Sequence, residues 1–307
     1  MSKLSERCAQ YTLPQEGKAQ GIYPYHRCIS SQQDTEVIME GRKVLMFGSN
    51  SYLGLTNHPK VIEAAVEAAK KYGTGCAGSR YLNGTLDLHK DFEAELAEFV
   101  GKEDAMIFST GFQTNLGTIS CLMGRDDYVI CDDLDHASIV DGRRLSFAKP
   151  LKFKHNDMAS LEKTLQRCEP DSLKLVVVDG VFSMEGDLAD LPGIVALKDK
   201  YNCAIMVDEA HGLGVMGDHG RGVCNHFGLT DQVDIIMGTF SKSLAAIGGF
   251  IAADASIINW VRHHSRSYIF SASNTPAATA AARAALQIMK NEPERIAHLW
   301  DLTNYAL

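Results

Sequence analysis

Lys242 stands in Gly238-Thr239-Phe240-Ser241-Lys242-Ser243, directly after the apolar run Val233 to Met237. A loop lysine is most often a solvated surface cation. One that follows a buried-type strand can instead be partly desolvated, lose its proton and form a Schiff base with an aldehyde. The flanking hydroxyls of Thr239 and Ser241 suit a phosphate oxygen. Asp208-Glu209-Ala210-His211 spells the DEAH box of nucleic-acid helicases, but no G-x-x-x-x-G-K-[ST] loop occurs upstream, so that reading is rejected. A strand-end aspartate with a histidine three residues on has another use: the carboxylate holds a ring nitrogen protonated while the imidazole reaches a neighbouring ring substituent. Ser109-Thr110-Gly111-Phe112-Gln113-Thr114-Asn115 lies where a strand turns into a helix. Its hydroxyls could simply cap that helix. The free N–H groups of the first turn, with Gly111 allowing close approach, could equally hold an anion. Asp135-His136-Ala137-Ser138 places His136 at another helix start, where it either packs structurally or stacks flat on an aromatic cofactor.

These groups act together only if one scaffold collects them. Lys60–Tyr72, Leu88–Val100, Asp157–Arg167 and Leu191–Tyr201 have helical periodicity, and from Thr275 the text is Ala-rich and helical to the end. Between the helices lie short apolar runs at Ala105–Phe108, Tyr128–Cys131, Leu151–Phe153, Leu173–Val178, Cys203–Val207, Val233–Met237 and Gly249–Ala252. The alternation predicts an α/β fold with a mostly parallel, seven-stranded sheet and helices on both faces. Ligands bind such sheets beyond the carboxyl ends of the strands. Ser109, Gly111 and Phe112, Asp179 and Ser183, Asp208 and His211, and Thr239, Ser241 and Lys242 each follow an apolar run. A Schiff-base lysine, a carboxylate for a ring nitrogen, a stacking imidazole and a phosphate cup are what pyridoxal 5′-phosphate needs from a protein. A dinucleotide fold would want G-x-G-x-x-G after a first strand, and none follows one.

Composition bounds the remaining classes. In 307 residues, 45% are hydrophobic and 22% charged, the balance of a folded globular chain. Thirty Lys+Arg against 38 Asp+Glu give a net charge of −8 with no dense basic run, which argues against nucleic acid as a partner. The eight cysteines are scattered, with no C-x-x-C pair and no Cys/His quartet, so no metal site is expected and a reducing compartment is. The start lacks the apolar core of a signal peptide and no later run is long enough to span a membrane, which predicts a cytoplasmic protein. Contact with a membrane surface stays compatible with this. Residues 1–45, with a hairpin pattern from Thr35 to Met46 turning at Gly41, read as an N-terminal arm.

The words MFGSNSYLGL (46–55), GTGCAGSRYLNGTLDLH (73–89), STGFQTN (109–115), DHASIVDG (135–142), HND (155–157), DGVFSMEGD (179–187), MVDEAHGLGVMGDHGRG (206–222) and GTFSKSLAAIGG (238–249) carry a resemblance from about Tyr23 to the C-terminus. The chain resembles the α-oxoamine synthases, a branch of the fold-type I pyridoxal-phosphate enzymes. It is most similar to the bacterial members that use serine and palmitoyl-CoA. Glycine C-acetyltransferase, 8-amino-7-oxononanoate synthase and 5-aminolevulinate synthase share the frame. The resemblance implies a decarboxylative condensation of L-serine with a long-chain acyl-CoA to 3-ketodihydrosphingosine, the first step of sphingolipid synthesis. It implies that Lys242 forms the Schiff base and serves as acid and base at Cα. Asp208 would pair with the pyridinium nitrogen, His211 and Ser183 with the ring oxygen, and His136 would stack on the ring and orient substrate. Gly111, Phe112, Thr239 and Ser241 would hold the phosphate, with Asn50 and Ser79 on the amino-acid or neighbouring-subunit side. A homodimer with active sites at the subunit interface is also implied. Residues 46–290 would form the large cofactor domain, and 291–307 the start of a small C-terminal domain that is largely missing. Relatives place the arginine for the substrate carboxylate in that domain, so poor or no turnover is expected of residues 1–307 alone. A cofactor-binding scaffold subunit without activity is the reading from another class, and the presence of Lys242 disfavours it.

Overall fold

Glu40 and Gly41 both have positive φ, 50° and 77°, the left-handed pair that a tight two-residue hairpin needs. In the computed structural model, which describes residues 1–307, they join β1 (Glu36–Met39) to antiparallel β2 (Arg42–Leu45), and Ile29 bridges to Met39. Two short helices, Lys3–Ala9 and Leu13–Ala19, precede this hairpin where the sequence pattern had suggested only an arm. Ser2 Oγ caps the first by accepting from the Ser5 N–H at 3.2 Å, and Pro14 opens the second. These elements form one unit, Met1–Gly48; Ser49–Leu307 forms the other.

In the larger unit the apolar runs become β3 (Asp104–Phe108), β4 (Tyr128–Asp132), β5 (Lys149–Phe153), β6 (Lys174–Asp179), β7 (Ala204–Asp208), β8 (Ile235–Thr239) and β9 (Gly249–Ala253). They form a seven-stranded sheet in the order β3-β9-β8-β7-β6-β4-β5. All strands run parallel except β9, which is antiparallel to both β3 and β8. The expected mostly parallel α/β sheet is therefore present, its strands displaced by one or two residues from the sequence pattern.

Alternation along the strands builds two cores. Val176, Val178, Ile205, Val207 and Ile236 face one side, against Phe92 and Leu96 of helix Asp87–Val100, Leu161 of helix Met158–Leu165 and Ala282 of helix Pro276–Asn291. Leu175, Val177, Met206, Ile235 and Met237 face the other, against Ile119 of helix Gly111–Leu122 and Ile258 of helix Ala255–His264. Outside the edge strand β5, burial on both faces leaves no polar position mid-strand, so functional groups fall at strand ends.

One ion pair lies inside. Arg80 Nη1 and Nη2 donate to the two Glu93 oxygens at 2.8 and 3.0 Å, and both side chains are almost wholly buried. Glu93 also accepts the Ile107 N–H of β3 at 3.1 Å, which ties helix Asp87–Val100 to the sheet. The Ala-rich C-terminal stretch, read from sequence as continuous helix, divides into Pro276–Asn291 and Glu294–Ala306. Pro293 has no N–H to continue the ladder, and the chain turns there.

Candidate active site

Because β9 runs against its neighbours, its first residue, Gly249, lies level with Phe108 and Thr239, the last residues of β3 and β8. Helix Gly111–Leu122 starts at that edge. A Cβ on Gly249 would stand 2.9 Å from Gly111 Cα, and a Cβ on Gly111 would stand 2.7 Å from Thr239 Oγ1. Two residues without side chains thus let the helix start approach Thr239. Thr110 Oγ1 caps the helix by accepting from Gln113 N–H at 3.1 Å. The N–H groups of Gly111 and Phe112 belong to the first turn, which has no intrahelical partner for them. Beside them, Thr239 Oγ1 and Ser241 Oγ lie 3.0 Å apart. Capping and anion binding, left as alternatives by the sequence, do not exclude each other here: Thr110 caps, while the Gly111 and Phe112 N–H groups and the Thr239 and Ser241 hydroxyls stand together as a cradle suited to an anion.

Lys242 rides on the turn from β8 to β9. Thr239 Oγ1 donates to Gly248 O at 3.1 Å, and the Phe240 N–H donates to the same oxygen at 2.9 Å. The buried Phe240 ring anchors the turn between Phe92 and Phe250, with centroids 5.1 and 6.0 Å away. Burial lowers the Lys242 pKa, and the charges of Asp208 and Asp179 oppose that shift without overcoming it. Asp179 and Asp208 are register partners at the ends of β6 and β7. Burial, and next the Asp208 charge, push the Asp179 carboxyl up to about 8.

A chain of hydrogen bonds leaves Asp208. Its Oδ1 accepts the Ala210 N–H at 2.9 Å, and its Oδ2 accepts from Asn115 Nδ2 at 2.7 Å. Asn115 Nδ2 also donates to Ser138 Oγ at 2.8 Å, which lies 2.7 Å from His136 Nδ1. The Ser138 N–H points at the same Nδ1 at 3.3 Å, so His136 is the N-cap of helix Ala137–Leu145. The His136 backbone N–H donates to Asp179 Oδ2 at 2.7 Å. Across the cavity, Tyr52 Oη lies 2.6 Å from His211 Nδ1. Burial, then the Lys242 charge, push His211 down to about 4, while burial raises Tyr52. A neutral imidazole and a protonated phenol follow, joined by this one hydrogen bond.

Gly111, Phe112, His136, Ser183, Asp208, His211, Thr239, Ser241 and Lys242 all line one cavity of about 340 Å³, a size suited to a small cofactor. Asn50 is exposed and Ser79 is buried with an unpartnered hydroxyl; neither lines the cavity. Sequence reasoning missed Asn115, Ser138 and Tyr52 as working groups, although each lay inside a quoted word. For Asn115 the signal was its spacing from Gly111, four residues on along the same helix face. Gly212 to Gly217 does have G-x-G-x-x-G spacing, but Gly214 and Gly217 take φ of 78° and 76° in a turn ahead of the 3₁₀ turn Asp218–Gly220, so it opens no phosphate-binding helix.

Residues 42–306 match the model of the aminotransferase class I and II family. The chain is 70% identical over all 307 residues to the serine palmitoyltransferase of Bacteroides thetaiotaomicron, covering 78% of that protein. It is 59% identical over 304 residues to that of Sphingobacterium spiritivorum, covering 99% of this chain and 76% of the relative. Among solved structures, a serine palmitoyltransferase from S. paucimobilis with a bound PLP–myriocin aldimine superposes with a TM-score of 0.94 at 38% identity, covering 98% of this chain and 76% of that one. Sequence match and shared fold agree that the chain belongs to the aminotransferase class I and II family.

Proposed function

We propose that this protein is a pyridoxal-5′-phosphate-dependent acyltransferase that condenses L-serine with a long-chain acyl-CoA such as palmitoyl-CoA. The reaction releases CO2 and CoA and forms 3-ketodihydrosphingosine. The observation that carries this reading is the facing of Lys242, Asp208 and the Gly111–Thr239 cradle across one cavity, in a chain 70% identical to a serine palmitoyltransferase. The residues fit the cofactor: a Cβ at Gly111 would fill the cradle, and its absence leaves room for a phosphate. Lys242 would hold the cofactor covalently, Asp208 its ring nitrogen, His211 and Ser183 its ring oxygen, and His136 its ring face. Gly111, Phe112, Thr239 and Ser241 would hold its phosphate.

When bound, pyridoxal phosphate supplies the electron sink for the carbanion left at Cα as a proton or CO2 departs. The protein's part is positioning and proton transfer. Lys242, its proton loosened by burial, is suited to take the Cα proton and to return one. The two hydrogen bonds that Asp208 accepts fix its carboxylate at the strand end. Tyr52, hydrogen-bonded to His211 Nδ1, holds the imidazole in place at the cavity lining.

We further propose a homodimer whose active sites lie at the interface, which would bring Asn50 and Ser79 to the amino-acid side. Phe112 and Ile247, 43% and 58% exposed at the cavity lining, support a partner there. A cytoplasmic location fits eight free cysteines, and no helix is long and apolar enough to cross a membrane. The competing branch is represented by the 8-amino-7-oxononanoate synthase of Geobacter sulfurreducens, 46% identical over 280 residues, covering 91% of this chain and 71% of the relative. CoA release with serine, glycine or alanine against palmitoyl-CoA and acetyl-CoA separates the branches. Serine with palmitoyl-CoA is expected to be fastest; a preference for glycine and acetyl-CoA would overturn the proposal.

A further inference from the structure

The link from Asp208 through Asn115 and Ser138 to His136 has a forced direction. An amide nitrogen only donates, so Asn115 Nδ2 gives its two hydrogens to Asp208 Oδ2 and Ser138 Oγ. Turning the amide over would set its oxygen against the Asp208 carboxylate. Ser138 Oγ therefore accepts from Asn115, and its own hydrogen is free for His136 Nδ1 at 2.7 Å. The Ser138 backbone N–H aims at that same nitrogen. With two donors converging on it, Nδ1 keeps its lone pair, and the neutral ring carries its hydrogen on Nε2. The arrangement has a cost. Asn115 Oδ1 is buried with no partner, an orphan acceptor whose lost hydration nothing replaces. A buried amide that leaves its oxygen unsatisfied while spending both hydrogens on two site residues is spaced for the site rather than for the core.

We propose that Asn115 and Ser138 are positioning residues: Asn115 fixes the Asp208 carboxylate and, through Ser138, holds His136 in the Nε2–H tautomer, so that the imidazole presents a donor to the cavity. The donor suits an anionic substrate group, and that consequence rests on the function proposed above. A tautomer switch at His136 would need the Ser138 hydroxyl to turn round against the Asn115 donor and the Ser138 N–H to face an Nδ1–H. Neither residue needs to touch substrate for its loss to be felt.

The tautomer can be read without cofactor or turnover. The whole protein is labelled with ¹⁵N-histidine, and long-range ¹H–¹⁵N correlations are recorded near neutral pH, with His136 identified by the signals lost in His136→Asn. We expect an unprotonated Nδ1 and a protonated Nε2 in the wild type, a tautomer mixture in Ser138→Ala, and return to the wild-type pattern in Ser138→Thr. A protonated Nδ1 in the wild-type neutral ring overturns the proposal whether or not any variant folds. An unchanged spectrum in Ser138→Ala overturns the part given to Ser138. Serine titrations of the cofactor-loaded protein, read by absorbance, should show about tenfold weaker binding in Ser138→Ala, the size of one hydrogen bond. If the tautomer is as expected but the wild type binds no serine, the functional reading fails while the relay stands.

Discussion

Gly111→Ala tests the cradle directly. The added Cβ would lie 2.7 Å from Thr239 Oγ1, 3.0 Å from Thr239 Cβ and 3.5 Å from Met237 Cε. Good contacts begin near 3.5 Å, so helix or strand must retreat by roughly 0.8 Å. Such overpacking costs about 1–3 kcal/mol. Alanine's helix propensity returns at most about 1 kcal/mol, and less in a first turn, so the unliganded protein should lose up to about 3 kcal/mol. Ligand binding should suffer more, because the Thr239 hydroxyl is displaced from the cradle. A hydrogen bond to a charged group is worth about 1.5–3 kcal/mol, which corresponds to roughly 10- to 150-fold in Kd. The assay is titration with pyridoxal phosphate, followed by absorbance, beside thermal unfolding with and without the cofactor. Adding Thr239→Ala should recover part of the stability, because the closest clashing atom is gone, but none of the affinity. Wild-type affinity in Gly111→Ala would refute the cradle.

Lys242→Ala should abolish the visible band of covalently bound cofactor; a persisting band would place the attachment elsewhere. Arg80→Met leaves the Glu93 carboxylate buried without its cation and should lower the unfolding free energy by about 3–5 kcal/mol in denaturant titrations, and a loss below 1 kcal/mol would show that the pair is not desolvated. His211, held near 4 when folded against 6.5 ordinarily, gives a pH signature. Between those values the unfolded chain binds a proton that the folded chain refuses, so stability is lost as pH falls from about 6.5 toward 4. The ring is only partly buried, and solvent screening leaves a term on the order of 1–2 kcal/mol. His211→Gln should remove that loss, so a wild-type-minus-variant difference that stays flat between pH 4 and 7 would contradict the assignment.

Much of the scaffold was legible because fully buried parallel strands leave dense apolar runs, and their carboxyl ends point to the chemistry. Lys242, Asp208 and His136 each follow such a run, and the structure gathers them in one cavity. What escaped was hydrogen bonding between distant positions. The Asn115–Asp208 bond spans 93 residues and the Tyr52–His211 bond 159, separations over which no periodicity speaks. The two N-terminal helices escaped for the opposite reason. Neither buries a residue, so neither has the apolar stripe by which a helix is read. Antiparallel β9 was also invisible, since a strand buried on both faces looks alike in either direction.

The strand order grades how far the sheet can vary. Reading across it, β3 and β8 lead into the cradle and Lys242, β7 and β6 end in Asp208 and Asp179, and β4 leads to His136. Neighbouring strands are about 4.8 Å apart, so these groups are spaced as on a ruler whose marks cannot be exchanged. β5, at the far edge, ends in none of the cavity-lining groups, and it bears Lys149, Pro150 and Lys152, which discourage pairing with another edge. Insertions and recombination breakpoints should therefore be tolerated around β5, whereas one extra residue between Thr239 and Gly249 would move Lys242 along the edge and out of register with Asp208.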